Sequence, residues 1–595
     1  MKQANAHRCI LGRVEPFALV ALMAGATLAD TRRPSNDHHA TSASSWTGSV
    51  TPDRALVDQA IAGIPKHDRY VGMFYFVWHG AHSQSGPHDI TKLTADREPA
   101  WGPVGAFHHW GEPELGYYVA TDPYVYRRHA SMLVDAGVDT ILIDVTNTAI
   151  YRQQVTVLLE TWARMRREGA STPKVAFLAN TNQGVVVERL YEWLYKLGKH
   201  QDLWFYWEGK PLILADRAEA PPDTRDFFTF RRSWAWSKTS WFGDGRGKWT
   251  WIDDSPQKPG LDPSGSKEQI SVAAAGHPTR NLGRSNRRSK QPRPSRERPN
   301  GRIYFREQWQ RAHEVDPEFV LVTGWNEWVA QRFVAGKGPQ HGRRFLGKKL
   351  KEGQSYFVDQ YNHEFSRDLE PMRGGHGDLY YYELVDQVRR YKGCRLPPVP
   401  GPPTPIAVDG AFDDWRGVPT RYFDTPGDSA HRDHPAWGSL PRLVDRSGRN
   451  DFVEARVAYD EAQVAFLAKT RRPIVRGSGA CMLLLIDSDQ QRATGWHGYD
   501  YVVSHSPTPG EPSRLFSLSE SAGRRVAQPI ADVDAAIADE RIELSVPRRV
   551  FPDGELSFDF HWYDSAEPLE SFDDLSEHGD SAPNRRFNYR FNTSG

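Results

Sequence analysis

The sequence predicts an α/β chain: a (β/α)8 TIM barrel followed by an all-β sandwich domain. Three observations carry this reading. Eight apolar runs, mostly separated by helical stretches, lie within residues 69–392. A stiff tract, Pro397-Pro-Val-Pro-Gly-Pro-Pro-Thr-Pro405, then breaks the pattern. Beyond it come short alternating strands without regular helices, the pattern of a sandwich.

The eight runs are 70–79, 138–144, 174–180, 211–216, 228–234, 248–253, 270–275 and 319–324. Helical patterns fall at 122–136, 150–168, 184–199 and 305–313. A doubly wound open sheet is the competing architecture, but no Gly-rich phosphate turn follows the first run. The domain expectation is therefore a barrel over 69–392, a linker over 393–405 and a β-sandwich over 406–595, with two or more domains required by 595 residues.

Residues 1–29 read as a secretory signal peptide. Lys2, Arg8 and Arg13 precede the apolar run 17–29, and Ala26 or Ala29 offers a cleavage site. That implies a secreted or periplasmic protein. The run is shorter than the roughly 20 residues of a spanning helix, and no later segment reaches that length, so no integral membrane segment is expected. Residues 30–68 read as a polar leader, Ser/Thr-rich and disordered over 30–50. The net charge of +0 argues against a general nucleic-acid binder, which needs a basic excess. The three cysteines, Cys9, Cys394 and Cys481, have no metal-type spacing. Oligomeric state is left open.

The chain carries 20 Trp, 23 Tyr and 27 Phe, rings suited to stack on the C–H faces of sugars as well as to fill cores. Catalytic groups of such barrels sit at the carboxyl ends of the strands. Here those ends carry His79, Asp144, Asn180, Asp216, Trp234, Asp253 with Asp254, His277 and Glu327. Glycoside hydrolysis usually needs two carboxyl groups, one a proton donor and the other a base or nucleophile. Glu327, between Trp325 and Trp328, is the first candidate for base or nucleophile, with Asp144 or Asp253 the donor. Trp78, His79, Trp110, Glu112, Asn180, Trp234, Trp325, Asn326 and Trp328 are candidate substrate contacts. His108, His109 and Glu114 lie in the same aromatic loop as Trp110. A structural role remains the alternative at each position. No zinc-type His spacing and no Gly-x-Ser-x-Gly elbow occur.

Trp325-Asn-Glu-Trp328, the first run Tyr75-Phe-Val-Trp78 and the strand count resemble the glycoside hydrolase family 99-like group, which contains the endo-α-mannosidases. The resemblance covers about 69–392. It implies that the first Glu of the motif acts as base on the sugar 2-hydroxyl and a second Glu as general acid/base. Glu327 matches the first position, but the second falls on Ala330, which transfers no proton. Residues 409–415, 484–489, 495–501 and 579–583 are similar to carbohydrate-binding module family 9, whose members stack sugars between rings and in some cases hold calcium. Trp496 and Trp562 are the candidate ring partners there, with core packing the alternative. Asp487 and Asp489, two apart and oxygen-bearing, are candidate calcium ligands, with a solvated turn the alternative. No cofactor is expected for the reaction itself.

The function expected is hydrolysis of glycosidic bonds in a polysaccharide or glycan. The alternatives are a non-catalytic glycan-binding protein and a polysaccharide lyase acting on an acidic polysaccharide. The lyase reading rests on the basic run 280–302, in which nine Arg and Lys face only Glu297.

Overall fold

The computed structural model describes residues 42–82, 84–336, 344–505 and 511–594. The signal-peptide expectation for 1–29 lies outside them. The eight apolar runs form eight strands: β1 Tyr70–Tyr75, β2 Thr140–Asp144, β3 Lys174–Leu178, β4 Lys210–Leu214, β5 Thr229–Ala235, β6 Lys248–Ile252, β7 Lys267–Ala273 and β8 Phe319–Thr323. They pair in parallel in the order β6-β5-β4-β3-β2-β1-β8-β7. At the remaining seam, side chains bridge β6 and β7. Gln269 Nε2 donates to the Thr250 carbonyl at 2.8 Å, and the Thr250 and Ser271 hydroxyls meet at 3.0 Å. The barrel is thus nearly closed.

Period-two alternation sends Leu142, Leu178, Leu212, Leu214, Trp249, Trp251, Phe319 and Leu321 into the barrel interior. Gly72 is small for a reason. A Cβ there would meet the Phe319 ring at 2.5 Å and Leu142 at 2.8 Å. Near the amino end of the barrel, buried Glu268 accepts from Arg231 at 2.8 and 2.5 Å, Trp207 Nε1 at 2.9 Å and Trp249 Nε1 at 2.6 Å. Arg231→Met would strand that carboxylate. We expect the unfolding free energy to fall by about 3–5 kcal/mol, read as a lower urea midpoint at unchanged m.

The helices are α1 Pro123–Asp135, α2 Arg152–Arg167, α3 Gln183–Leu190, α4 Ile303–Val315 and α5 Leu379–Lys392. Asp122 caps α1 by accepting from Tyr124 N at 3.0 Å, and Pro123 takes the first helical position. Turns, one 3-10 segment (Pro222–Thr224) and a short extra strand replace helices between β4 and β7.

Part of the expected polar leader is built into the fold. Ser42–Ser45 is a 3-10 turn, Ser49–Thr51 pairs with Arg54–Ala55, and Trp46 and Val50 are buried. Buried Arg389 on α5 donates to the Trp46 and Ala43 carbonyls, both at 2.8 Å. One buried indole and one guanidinium bonded to two carbonyls outweigh the serine-rich composition of this segment.

The C-terminal region is two antiparallel sheets. One orders Arg421–Phe423, Phe452–Tyr459, Gln463–Thr470, Arg541–Pro547 and Ala535–Ala538. The other contains Arg524–Val533, Ser513–Ser521, Tyr501–Ser504, Ala480–Asp487, Ser557–Ser565 and Asp580–Ala582, with Tyr589–Asn592 also on Ser557–Ser565. Phe466 of one sheet packs on Phe558 and Phe560 of the other. The two regions are tightly bonded. Buried Arg585 grips Glu114 with two bonds of 2.7 Å, Arg432 reaches Asp122 at 2.8 Å, and Arg586 reaches Asp378 at 2.7 Å. Cys394 and Cys481 are free and buried. Among the described residues no helix is long and apolar enough to cross a membrane.

Candidate functional site

Strand parity makes the site. Leu142 points inward, so Asp144, two residues on, lies over the mouth of the barrel. Its Oδ1 accepts from Thr146 N at 3.0 Å. Burial pushes its carboxyl up to about 6, opposed by the Thr146 hydrogen bonds and reinforced by the charge of Asp359.

Glu327 follows β8 and is also buried. Its Oε2 accepts from Arg367 Nη2 at 2.5 Å and from Gln360 Nε2 at 2.9 Å. Burial pushes its carboxyl up; Arg367 opposes this, and the charges of Asp359, Asp368 and Asp144 reinforce it. Asp368 holds the Glu327 backbone N–H at 2.6 Å and Trp110 Nε1 at 2.7 Å. Its own carboxyl is raised to about 6, chiefly by burial. Arg367 is oriented in turn by the Asp359 carbonyl at 2.7 Å. Asp359 makes a 2.9 Å contact with His277 Nε2 at the end of β7. Arg284, fully buried, braces this segment through Ser366 Oγ and the Asp368 carbonyl, at 2.9 and 2.8 Å.

Gln360, Arg367 and Asp368, with Asp359, escaped the reading of the sequence. All four come from one segment, 357–368, where polar residues punctuate an aromatic stretch after the last barrel strand. That punctuation was the available signal. Trp236 was missed too. It is half-buried, with the Arg280 guanidinium 4.3 Å above its ring and His277 beside it.

Several expected contacts take other roles. Asp253 is no proton donor here. Its oxygens accept from Ser237 N and Oγ, Asp254 N and Lys258 N at 2.6–3.1 Å, so it fastens a loop. Neighbouring Asp254 pairs with Arg280 at 3.1 Å. Asn326 clamps the end of β1 by bonding the Phe76 N–H and carbonyl, each at 2.9 Å. Trp110 and Trp328 are buried and stack on each other, centroids 4.5 Å apart, so neither ring face is open to a sugar. Trp325 is buried against His129 and Tyr381. Glu112 is bound by Lys92 at 2.7 Å. His79 is buried and stacked on Trp78, and burial, reinforced by His129, drops its pKa to about 3, which keeps it neutral. Trp78 and Asn180 remain half-buried at the mouth. Trp234 is exposed, but it alternates with buried Ser233 and Ala235 of β5.

Ala330 sits in a short strand, Val329–Gln331, paired with Phe107–His109, and packs in an apolar cluster with Ile90, Phe345 and Phe357. That wall leaves no room for a working carboxylate there. In the sandwich Trp496 and Trp562 are buried, Trp562 against Phe452 and Trp496 under Arg525, so both are core rings. Asp487 and Asp489 do converge, joined by Asp500, with carboxylate oxygens within 4.8 Å of one another. Asp487 Oδ1 is buried without a hydrogen-bond partner, which suits a hard cation.

No protein-family model and no curated protein matches the chain. Among solved structures it is similar to the GH99 endo-alpha-mannosidase from Bacteroides thetaiotaomicron in complex with BIS-TRIS-propane. The identity is 18%, over 54% of this chain and 97% of that one, at a TM-score of 0.33. A second structure of the GH99 endo-alpha-mannosidase from Bacteroides thetaiotaomicron gives 17%, 54%, 97% and 0.32. A glycoside hydrolase-like protein gives 11%, 56%, 95% and 0.31. The chemistry of the site rests on this chain's own residues.

Proposed function

We propose that the chain hydrolyses glycosidic bonds of a polysaccharide or glycan at the carboxyl end of its barrel. One observation carries this. Two buried carboxyls from different strand ends, Glu327 and Asp144, lie near enough for the charge of Asp144 to act on Glu327. Their environments differ as the two roles require. Burial raises both carboxyls, but only Glu327 has a guanidinium that opposes the rise, which suits the base or nucleophile of the pair. Among the described residues Asp144 has no cationic partner, and its pKa is raised to about 6, which suits a proton donor near neutral pH. Asp359, beside both, sustains the acidic field and is itself steered by His277. Trp78 and Trp236 are the rings placed to stack a sugar.

A second reading, glycan binding without turnover, is favoured by Ala330 and by the closeness of the Arg367 contact to Glu327. Of the basic run behind the lyase reading, Arg284 and Arg302 are buried braces, while the other seven basic residues are exposed. The Asp487, Asp489 and Asp500 cluster would hold a structural calcium ion far in sequence from the reacting carboxyls; hydrolysis would need no cofactor. The leader over 1–29 would direct the protein to the periplasm or outside the cell.

The test is a glycan panel incubated with the purified protein, with products read by mass. New reducing ends from at least one glycan, absent with Glu327→Gln, are expected. Binding without product across the panel would leave the second reading standing.

A further inference from the structure

The junction between barrel and sandwich holds a second acidic cluster with no assigned role. Asp424 and Asp428 follow the strand Arg421–Phe423, and Asp580 opens Asp580–Ala582. One carboxylate oxygen from each lies within 4.8 Å of the others. Asp451 adds a charge that acts on all three, and Asp135, at the carboxyl end of α1, adds one that acts on Asp424. Asp451 is satisfied by Gly427 N at 2.8 Å, Asp580 by Phe452 N at 2.6 Å and Ser581 N at 3.0 Å, and Asp135 by Asn584 at 3.0 Å.

Asp424 and Asp428 are not satisfied. None of their four buried carboxylate oxygens has a hydrogen-bond partner of good geometry, although Asp428 faces Asp580 and its own backbone N–H and Asp424 faces the Thr425 N–H, and Asp428 as a residue is only 4% exposed. Buried carboxylates that face other carboxylates and no well-placed donor are costly unless a cation joins them. The neighbouring guanidiniums make their hydrogen bonds elsewhere: Arg128 donates to the Ser576 carbonyl, Arg585 to Glu114, and Arg127 Nη2 to Glu168 at 2.8 Å, while Arg127 Nη1, beside Gly427, stays unpaired and the Arg128 charge offsets part of the repulsion at Asp428. Arg471 reaches Asp451 at 3.7 Å, on the rim. A cavity of about 1070 Å³, lined in part by Asp135, Asp424 and Thr425, opens beside the cluster and gives an ion a way in.

We infer that Asp424, Asp428 and Asp580 bind a hard divalent cation, calcium by donor set, which joins the segment after the strand Arg421–Phe423 to the strand Asp580–Ala582. An all-carboxylate donor set suits calcium, which takes six to eight oxygen ligands in flexible geometry, better than magnesium, which keeps several waters. The cluster is separate from the Asp487, Asp489 and Asp500 group. The competing occupant is a proton shared between Asp428 and Asp580, and it makes an opposite prediction.

The experiment uses the full chain, stripped with EDTA and dialysed against calcium or magnesium. Bound metal is counted by mass spectrometry and the thermal midpoint is recorded. We expect calcium to raise the midpoint and magnesium to raise it less. Asp428→Asn should lower bound calcium by one ion per chain and lose its share of the midpoint rise. Asp489→Asn should retain that share, which separates the two clusters. Asp424→Asn, at a half-buried position, serves if Asp428→Asn does not fold. Equal bound calcium and an equal midpoint rise in the Asp428 or Asp424 variant and the parent would overturn the inference, as would a parent midpoint indifferent to EDTA and calcium.

Discussion

Glu327→Gln is expected to lower glycan hydrolysis by about a thousandfold or more while leaving the fold intact. The amide is isosteric, so its oxygen can still accept from Arg367 and Gln360, which now donate to Oε2. What disappears is the negative charge available to a developing cationic sugar or to a proton. Because the carboxyl is buried and three acidic neighbours press on it, ionising it costs folding free energy. The amide also leaves buried Arg367 without a full counter-charge, so the two effects oppose each other and the midpoint should stay near the parent's. Both readings come from one preparation, product formation by mass and thermal unfolding by circular dichroism. Unchanged hydrolysis would remove Glu327 from the mechanism. Lost hydrolysis with a lowered midpoint would assign it a structural role instead. Arg367→Met separates these further, since it leaves Glu327 buried without its cation and should destabilise the chain by about 3–5 kcal/mol.

The barrel was legible because each strand is a run of apolar residues bounded by turn residues, and all eight appear where those runs lie. Asp144 was legible for the same reason, as the polar end of a buried run. The long hairpin Ser513–Ser521 with Arg524–Val533 was not, because its second strand is an exposed edge rich in Arg and small residues and its first buries only two apolar side chains, Leu515 and Leu518, among Ser, Glu and Arg. The aromatic candidates failed in an instructive way. An indole reads the same in sequence whether it stacks on a sugar or on another indole, and Trp110 and Trp328 do the latter. Asp253 failed because its bonding partners come from the loops after β5 and β6, and spacing says nothing about where a loop returns. The segment 357–368 lies 30 residues or more after Glu327 in sequence, yet supplies Gln360, Arg367 and Asp368 to it. Only the closing of the barrel brings them together.

Asp144→Asn should split two effects that a merely structural carboxyl would not. As proton donor, Asp144 works protonated, so the parent's kcat/KM should fall as pH rises through about 6, and the variant should lose that limb. Hydrolysis of a natural glycan should drop by about 10²–10⁴-fold, while an aryl glycoside with a good leaving group, which needs no protonation, should lose far less. Stability should move the other way. The folded carboxyl sits near 6 against an ordinary value of 3.8, so the folded chain keeps its proton where the unfolded chain has released it. Below the lower value both states are protonated and there is no cost. Stability then declines as pH rises between the two values, and the full cost applies above about 6. At ~1.36 kcal/mol per pH unit this is about 3 kcal/mol. Asparagine carries no such cost, so the variant should match the parent at about pH 4 and exceed it by up to about 3 kcal/mol at about pH 8, read by urea unfolding at both. A residue that is worth activity and costs stability at neutral pH is one retained for chemistry. A variant less stable than the parent at high pH would place Asp144 among the turn-capping residues, with Thr146 N–H as its reason for being there.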